Sequence, residues 1–445
     1  MTRFKLATQD TFASLRVRNF RLFFAGQTIS QIGNWLTLIA QALLVLKLTN
    51  SGVVLGLLAA AQFGPVLLFG AFAGLVADRS DKRKLLLTVQ SFAMAQSFAL
   101  AAYAFYAAHH DYTTAIWPIF VIAALGGTAT AFDNPARRSF VVEMVPEEQI
   151  TNAVSLNSAL MTGSRIVGPA LGGLLIVTVG YGWAFALDGL SYIAVIIGLR
   201  MMDPSKIRKA PETPRGKGQV RAGLRYAWSI DELRVPLIMM AIIGTLAFNF
   251  QTVLPLFATR DLHGGTGTFS LLMSVVSIGS LAGALRSARR KHVSVRTVST
   301  ASVGFGAAML ALAASPTLPI AFLVGMVMGF TSISFMTSST AIVQLRADPT
   351  MRGRVLALQA IVFLGSTPIG GPIVGTISQH YGARWGLAVG AFATLGAAAY
   401  GFARVRAGAA EPVPETVQVE AVAEAASDLG EGPTATGPAV PQSAA

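Results

Sequence analysis

Gly74-Leu75-Val76-Ala77-Asp78-Arg79-Ser80-Asp81-Lys82-Arg83-Lys84 is the segment from which the fold class of this 445-residue chain can be inferred first. An acidic residue follows the glycine by four positions, and a basic cluster follows the acid. One long apolar run ends just before this segment and another begins just after it. The segment therefore predicts a short charged loop between two membrane-crossing helices.

The composition makes lipid the expected solvent for most of the chain. Hydrophobic residues make up 53% of the sequence and charged residues 12%, whereas a soluble domain carries about 25% charged residues. The chain has no cysteine, which excludes a disulfide framework, a thiolate metal site and a cysteine nucleophile. The five histidines fall near breaks between apolar runs, so we expect no metal site and no cofactor.

Twelve apolar runs are long enough to cross a bilayer. A hydrocarbon core about 30 Å thick needs roughly 20 apolar residues per helix. Open sheets cannot span lipid, so an all-α membrane protein is predicted. The predicted spans, numbered 1 to 12 in chain order, are 20–46, 52–77, 85–108, 115–136, 154–178, 183–202, 235–258, 268–288, 297–315, 318–344, 354–378 and 384–404.

The lysines and arginines orient these spans. Thirty of the 34 lie in the N-terminal segment, in alternate gaps between spans or after the last span. The opposite gaps hold only Lys47, Arg260 and Arg384. Because basic residues stay inside, both termini are predicted to be cytoplasmic, in a bacterial inner (plasma) membrane. The net charge of +13 follows this topology, so we expect no nucleic-acid partner.

Polar segments divide the chain into five predicted parts. The segment before span 7 is basic and contains proline, and the C-terminal tail has too few large apolar residues to fold. The parts are a cytoplasmic N-terminal segment (1–19), an N-terminal six-helix bundle (20–202), a cytoplasmic linker (203–234), a C-terminal six-helix bundle (235–406) and a disordered cytoplasmic tail (407–445).

The two bundles carry glycine pairs at matching places. Small residues four positions apart let two helix backbones approach closely. Their recurrence in the second and fifth span of each half predicts a parallel repeat. The pairs are Gly70 and Gly74 in span 2, Gly168 and Gly172 in span 5, Gly279 and Gly283 in span 8, and Gly371 and Gly375 in span 11.

The loop between spans 2 and 3 resembles the motif G-x-x-x-D-R-x-G-R-K of the major facilitator superfamily. The resemblance covers about residues 15–406. It implies two pseudo-symmetric six-helix bundles, with spans 2, 5, 8 and 11 between the halves and a central cavity lined mainly by spans 1, 4, 7 and 10. Asp81 stands where the family has glycine. The positions that match are Gly74, Asp78, Arg79, Lys82 and Arg83.

This loop is predicted to form a conformational latch. Asp78 can accept hydrogen bonds from the positive N-terminal end of a neighbouring helix, and the resemblance identifies that helix as span 11. The resemblance also identifies Asp133, near the cytoplasmic end of span 4, as the partner of Lys82. The cluster would stabilise the outward-open state. The alternative is that it marks topology and nothing more.

Two further resemblances indicate export. Gly168-Pro169-Ala170-Leu171-Gly172-Gly173 in span 5 is similar to the G-P-x-x-G-G core typical of export-type members, in which proline favours a kink. Asp133-Asn134-Pro135-Ala136-Arg137-Arg138 and Gly26-Gln27-x-x-Ser30-x-x-Gly33-x-Trp35 resemble the branch with enterobactin and macrolide efflux proteins.

Span 4 reads Ala123-Ala124-Leu125-Gly126 where drug–proton antiporters of the family have an arginine. This difference argues against a standard member of that group.

Two ionisable residues lie deep in the predicted membrane. Arg165 is the only basic residue deep in an apolar run, and Asp188 is the deepest acid. A charge there costs about 2.5–3.5 kcal/mol or more unless it is paired or hydrated. We expect the two to form a charged pair beside the transport path, with Asp188 as the group that takes up a proton for coupling. A static pair that fixes helix packing is the alternative.

Amide side chains predict a polar cavity. Those of span 1 fall on one helical face, and four amides in lipid are costly unless they face a cavity or another helix. We prefer cavity lining to packing. The candidates are Gln27, Gln31, Asn34, Gln41 and the adjoining Trp35 from span 1, with Asn249 and Gln251 from span 7.

These features together predict a secondary transporter and not an enzyme. We expect export of a small amphiphilic molecule, such as a drug, a siderophore or a secondary metabolite, by alternating access. Proton antiport is the expected energy source because no nucleotide-binding motif occurs. The expected partners are the substrate, protons and the bilayer, and the expected state is a monomer. An importer or facilitator, or a non-transporting receptor or scaffold, stays open, because fold does not name the cargo.

Overall fold

The computed structural model describes residues 12–208, 219–288 and 293–408. Within these ranges the chain is helical and has no strand. The predicted cytoplasmic tail, apart from its first two residues, lies outside the described residues, and so does most of the predicted N-terminal segment. The predicted disorder of the tail stays a prediction.

Each of the twelve predicted spans corresponds to helical structure. In order, spans 1 to 4 are Arg18–Thr49, Gly52–Arg79, Lys82–His109 and Trp117–Glu143; spans 5 and 6 share Ile150–Arg200; span 7 consists of Asp231–Leu246, Phe250–Leu256 and the π-helical turn Phe257–Asp261; and spans 8 to 12 are Thr266–Ala288, Val295–Ala313, Leu318–Arg346, Pro349–Tyr381 and Ala383–Arg406.

Ten helices in the described part of the chain are long and apolar enough to cross a membrane. One of these ten contains both spans 5 and 6. The two spans meet inside Ile150–Arg200 at Gly180, where φ is 85° and ψ is 175°. Span 4 is a further helix of 27 residues. The all-α membrane fold is confirmed, and the predicted count of twelve spans is consistent with it.

A glycine with a positive φ angle joins spans 5 and 6 in one half, and another joins spans 11 and 12 in the other half. Gly180 has φ 85° and Gly382 has φ 95°, a conformation that glycine adopts without the steric cost of a side chain. Each glycine lies beside a tyrosine, Tyr181 or Tyr381. The matching turns are what an internal repeat predicts.

The two halves meet at close glycine crossings. Spans 2 and 11 cross so tightly that a Cβ atom on Gly56 would lie 2.3 Å from the carbonyl oxygen of Gly371, and one on Gly375 would lie 2.3 Å from that of Gly52. Spans 5 and 8 meet at Gly173, where a Cβ atom would lie 2.4 Å from the Cβ of Ser270. Both crossings join one half to the other.

Not every predicted glycine pair has this role. A Cβ atom on Gly279 or Gly283 would meet the carbonyl oxygens of Met326 and Phe330 in span 10, so this pair packs within the C-terminal half. Nothing lies within 4 Å of a Cβ atom built on Gly70. In span 2 the crossing is instead made by the pair Gly52 and Gly56, nearer the predicted outer end.

A helix in the predicted linker lies against the C-terminal half. It covers Gln219–Ser229, and the amide of Asp348 donates to its Tyr226 hydroxyl at 2.9 Å. A Cβ atom on Gly223 would lie 3.0 Å from the Cβ of Arg354 in span 11. The linker is therefore partly structured, and its helix packs at the end of span 11.

Candidate functional site

A polar cavity of about 300 Å³ lies within the N-terminal half. Its wall comes from spans 1, 2, 3, 4 and 6 and includes amides, hydroxyls and three charged groups. The span 1 candidates Gln31, Asn34, Trp35 and Gln41 line it, as do Gln62, Gln90, Gln96, Asp133, Arg137, Asp188 and Tyr192. The amide residues of spans 2 and 3 were not among the predicted site residues, because they do not form a row along one helical face as the amides of span 1 do.

The span 1 amides are tied to the cavity wall by hydrogen bonds. Gln62 donates to the side-chain oxygen of Gln41 at 2.7 Å, and Tyr192 donates to that of Asn34 at 2.6 Å. Gln27 is buried next to the cavity and accepts a hydrogen bond from Gln31 at 3.2 Å. These bonds hold the span 1 amides in place at the cavity wall.

Asp188 is fully buried at the cavity wall. Its carboxyl group accepts hydrogen bonds from Thr37 at 2.6 Å and from Ser97 at 2.7 Å, and Ser191 lies 3.5 Å away. Among the described residues no cation contacts it. A buried carboxylate held by neutral hydroxyls keeps much of its desolvation cost, so this environment can accept the protonated form as well as the charged one.

The predicted ion pair between Arg165 and Asp188 does not form. The Arg165 guanidinium lies 6.0 Å from the ring centre of Trp35, whereas Asp188 is bonded to Thr37. Trp35 and Thr37 are two residues apart on a helix and therefore point in nearly opposite directions. The prediction was wrong because span 1 stands between the two charges.

Asp133 and Arg137 form a charged pair on span 4, at the cavity wall. Their side chains are 2.6 Å apart. Gln90 donates to Asp133 at 2.7 Å, and Arg137 donates to Gln27 at 3.1 Å. Each of the two charged groups is therefore paired with the other and also hydrogen-bonded to a glutamine. The cavity wall contains both charges, and neither is unpaired.

The predicted contact between Lys82 and Asp133 is also wrong. Lys82 is buried and pairs with Glu143 at 2.6 Å. Asp133 lies ten residues before Glu143 in span 4, which is about 15 Å deeper along the helix. Lys82, at the start of span 3, reaches the helix end and not the cavity wall. Glu143 was missed because it follows an apolar run and belongs to no quoted motif.

The loop between spans 2 and 3 stabilises neighbouring helix ends. Arg83 donates to the carbonyl oxygens of Leu199 at 2.7 Å and Arg200 at 3.0 Å, at the end of span 6. Asp81 accepts from the amide of Lys84 at 3.1 Å and caps span 3. This cap gives a physical reason for an acid where the family motif has glycine.

The roles predicted for the remaining latch residues stay predictions. Gly74, Asp78 and Arg79 form the last turns of span 2. Side chains at the start of span 11, at 349 and 350, lie outside the described residues. The predicted bond from Asp78 to that helix start stays a prediction.

The span 5 motif positions span 5 against spans 1 and 8. A Cβ atom on Gly168 would lie 2.4 Å from the Cβ of Trp35, and one on Gly172 would lie 3.5 Å from Leu36. Gly173 meets span 8, as described above. Pro169 lies inside the helix and is buried. The glycines thus serve the close contact that the motif predicted.

None of the described residues that line the polar cavity belongs to the C-terminal half, so the predicted candidates Asn249 and Gln251 do not line it. Span 7 is interrupted around Asn249. The side-chain amide of Asn249 donates to Thr245, and its buried side-chain oxygen has no hydrogen-bond partner among the described residues. Gln251 is half-buried in the short helix that follows. Beside the break, Phe248 is the centre of a ring cluster: its ring centroid lies 5.2 Å from those of Phe305 and Phe363, 5.7 Å from Phe250 and 6.5 Å from Phe335.

A polar cluster that we call the outer clasp joins the halves at the predicted outer surface. It consists of Asn50, Gly52, Arg260 and Gln379. Arg260, at the end of span 7, donates to the Asn50 side chain at 3.0 Å and to Gln379 at 3.3 Å. Gln379, at the end of span 11, also accepts from the amide of Gly52 at 2.7 Å. The clasp holds spans 1 and 2 against spans 7 and 11.

Two helical bundles with glycine crossings between them and a polar, membrane-depth cavity define a membrane transporter. The chain belongs to the transmembrane secretion effector family of the major facilitator superfamily, whose sequence model matches residues 9–433. The predicted superfamily is thereby confirmed.

Relatives of known name agree with this assignment. The chain is 25% identical to the staphyloferrin A transporter of Staphylococcus aureus, over 81% of this chain and 90% of that protein. It is 24% identical to macrolide efflux protein A of Streptococcus pyogenes, over 79% of this chain and 87% of that protein. The predicted secondary transporter of the export type is confirmed at the level of the family, and so is the expectation that the chain is not an enzyme.

Solved structures agree on the fold. A bacterial homologue of the human lysosomal transporter Spinster, in an inward-facing and unoccupied conformation, superposes with a TM-score of 0.65 at 16% identity, over 87% of this chain and 96% of that chain. A likeness at this identity concerns the fold alone.

Proposed function

We propose that this transporter exports a small amphiphilic molecule through the N-terminal cavity, in exchange for protons, by alternating access in a bacterial inner membrane. The observation that carries the proposal is Asp188, a fully buried carboxyl group in the cavity wall that is held by hydroxyls and, among the described residues, contacts no cation. Intramembrane acids of this kind mark proton relays. The secretion-type family and the macrolide efflux relative support the outward direction.

The proposed cycle uses the two ends of the molecule in turn. With the outer clasp closed, a cargo enters the cavity from the cytoplasm. When the clasp opens, the cargo leaves, and a proton from outside reaches Asp188, which lies seven residues from the outer end of span 6, or about 11 Å. The proton is released inside after the clasp closes again. Rocking of one bundle against the other is the motion this requires.

The cytoplasmic latch would govern the switch between the two states. We propose that it consists of Gly74, Asp78, Arg79, Lys82 and Arg83, with Glu143 in the place predicted for Asp133. The pair of Lys82 and Glu143 and the contacts of Arg83 at span 6 support this role. We further propose a monomer with both termini cytoplasmic, as the distribution of basic residues indicates.

The proposal can be tested in proteoliposomes carrying an inward proton gradient. The probes are a macrolide and staphyloferrin A, the substrates named for the relatives. We expect a gradient-driven flux of at least one probe against the proton movement, and loss of the gradient dependence in Asp188→Asn. Asp111→Asn, in an exposed turn whose left-handed backbone suits asparagine, is the matched control. If the flux of the probes did not depend on the proton gradient, or if Asp188→Asn kept the wild-type dependence on it, proton antiport through this residue would be refuted.

A further inference from the structure

Arg165 is a charged group at membrane depth for which the described residues supply no acidic partner. It lies fifteen residues from the start of Ile150–Arg200, so its Cα is about 22 Å from the cytoplasmic end of span 5. Its side chain is exposed, and its contact is the Trp35 ring, 6.0 Å from the guanidinium carbon. By contrast, Arg137 has Asp133 at 2.6 Å, and Lys82 has Glu143 at 2.6 Å.

The position of Arg165 on span 5 directs it toward span 1 and not toward lipid. Gly168 and Gly172 lie three and seven residues further on, and both pack against span 1. Residues with this spacing share one helical face. Arg165 shares this face one turn toward the cytoplasm and is exposed, and we assign its exposed surface to a space between spans 5 and 1. A guanidinium exposed to lipid at this depth would cost several kcal/mol, whereas a hydrated space between helices lowers that cost.

The contact with Trp35 leaves the hydrogen-bonding edge of Arg165 free. A guanidinium attracted to an aromatic ring through its charge keeps five N–H donors in its own plane. Two parallel N–H groups match the two oxygens of a carboxylate. Trp35 also lines the polar cavity and adds apolar surface beside the cation. A charged edge and an aromatic face thus lie together next to the proposed path.

We infer that Arg165 and Trp35 form a docking site for a carboxylate group on the exported molecule, with the indole covering the apolar part next to it. The inference rests on the proposed function, since it identifies the substrate class of the proposed path. Within this class, Arg165 selects for the anion and Asp188 handles the proton, on opposite sides of span 1.

Binding to the purified transporter tests the inference. The probes are pyrenebutanoate and its neutral carboxamide, which share one apolar body and differ in charge. We expect the wild type to bind the carboxylate about tenfold or more tightly than the amide, the gain of a charge-assisted hydrogen bond. Arg165→Gln should bind both equally, and Arg165→Lys should keep part of the preference. Arg406→Gln, an exposed arginine at the end of span 12, should keep all of it.

Other outcomes would overturn the inference. These are equal binding of the two probes by the wild type, binding of neither, or an undiminished preference in Arg165→Gln. The proton-gradient test, run with both the macrolide and staphyloferrin A, distinguishes this failure from failure of the proposed function. If docking fails alone, gradient-driven flux of one of these two compounds persists; if proton antiport fails alone, the carboxylate preference persists without coupled flux.

Discussion

The two halves of this transporter share an architecture and differ in chemistry. The N-terminal half places Asp133, Arg137, Arg165 and Asp188 at membrane depth. The C-terminal sequence has no lysine, arginine, aspartate or glutamate in 235–259, 267–285, 297–345 or 355–383. In this half the ring cluster around Phe248 joins span 7 to spans 9 and 11. An internal repeat therefore specifies helix placement, whereas each half has its own side chains. We infer that the N-terminal half carries the ionisable groups used in transport, and that the C-terminal half is the packed bundle against which it moves.

The largest expected effect is on the stability of the charged half. Lys82→Met would remove the lysine that pairs with Glu143 at 2.6 Å, and both side chains of this pair are less than 10% exposed. Breaking a buried pair costs about 3–5 kcal/mol, so thermal unfolding in detergent should occur at a clearly lower temperature. The double variant Lys82→Met with Glu143→Gln should recover part of the loss. Lys84→Met, at an exposed position two residues away, is the control, and equal melting of the two single variants would contradict the assignment.

The next effect concerns the contact between the halves. Arg260→Ala should open the outer clasp and raise access to the cavity from outside by about threefold to tenfold, the worth of one or two charge-assisted hydrogen bonds at a partly exposed site. The chain has no cysteine, so a single cavity cysteine, Leu38→Cys, can report access through an impermeant maleimide.

Arg384 gives the matched control for the clasp. It is also at the predicted outer surface, but its described partners lie in its own half: it donates to the carbonyl oxygens of Ala313 and Ser315 and pairs with Asp261 at 3.6 Å. Arg384→Ala should leave labelling of the cavity cysteine near the level of the background protein. If both arginine variants raised labelling equally, the clasp would have no special part in closing the outer side.

The smallest effect on transport is expected in the aromatic half. Phe248→Leu removes four ring pairs, each worth about 0.5–1.5 kcal/mol, and should lower the melting temperature. Because no charge changes, the dependence of transport on the proton gradient should be the same as in the wild type. Lost gradient dependence in this variant would break the division of roles between the halves.

The sequence was sufficient for the features that depend on local pattern. Apolar length predicted the spans. The one-face spacing of Gln31, Asn34 and Gln41 predicted a stripe that lies on the cavity wall. Each of these inferences needs only neighbours along one helix.

The features that were missed depend on how helices rotate and on contacts between distant residues. Whether Arg165 reaches Asp188 depends on which sides of span 1 Trp35 and Thr37 occupy, and no pattern within spans 5 or 6 contains that information. The outer clasp joins Arg260 to Asn50 across 210 positions and Gln379 to Gly52 across 327. Polar residues at loop ends are common, so these positions carried no signal of their own.

Proton release on substrate binding tests the central claim most directly. In weakly buffered solution with a pH-sensitive dye, a substrate identified in the gradient assay is added to the purified wild type, Asp133→Asn and Asp188→Asn. We predict that the wild type and Asp133→Asn release protons as the substrate binds, and that Asp188→Asn binds without releasing them. Undiminished release from Asp188→Asn, or binding to the wild type with no release, would contradict the account.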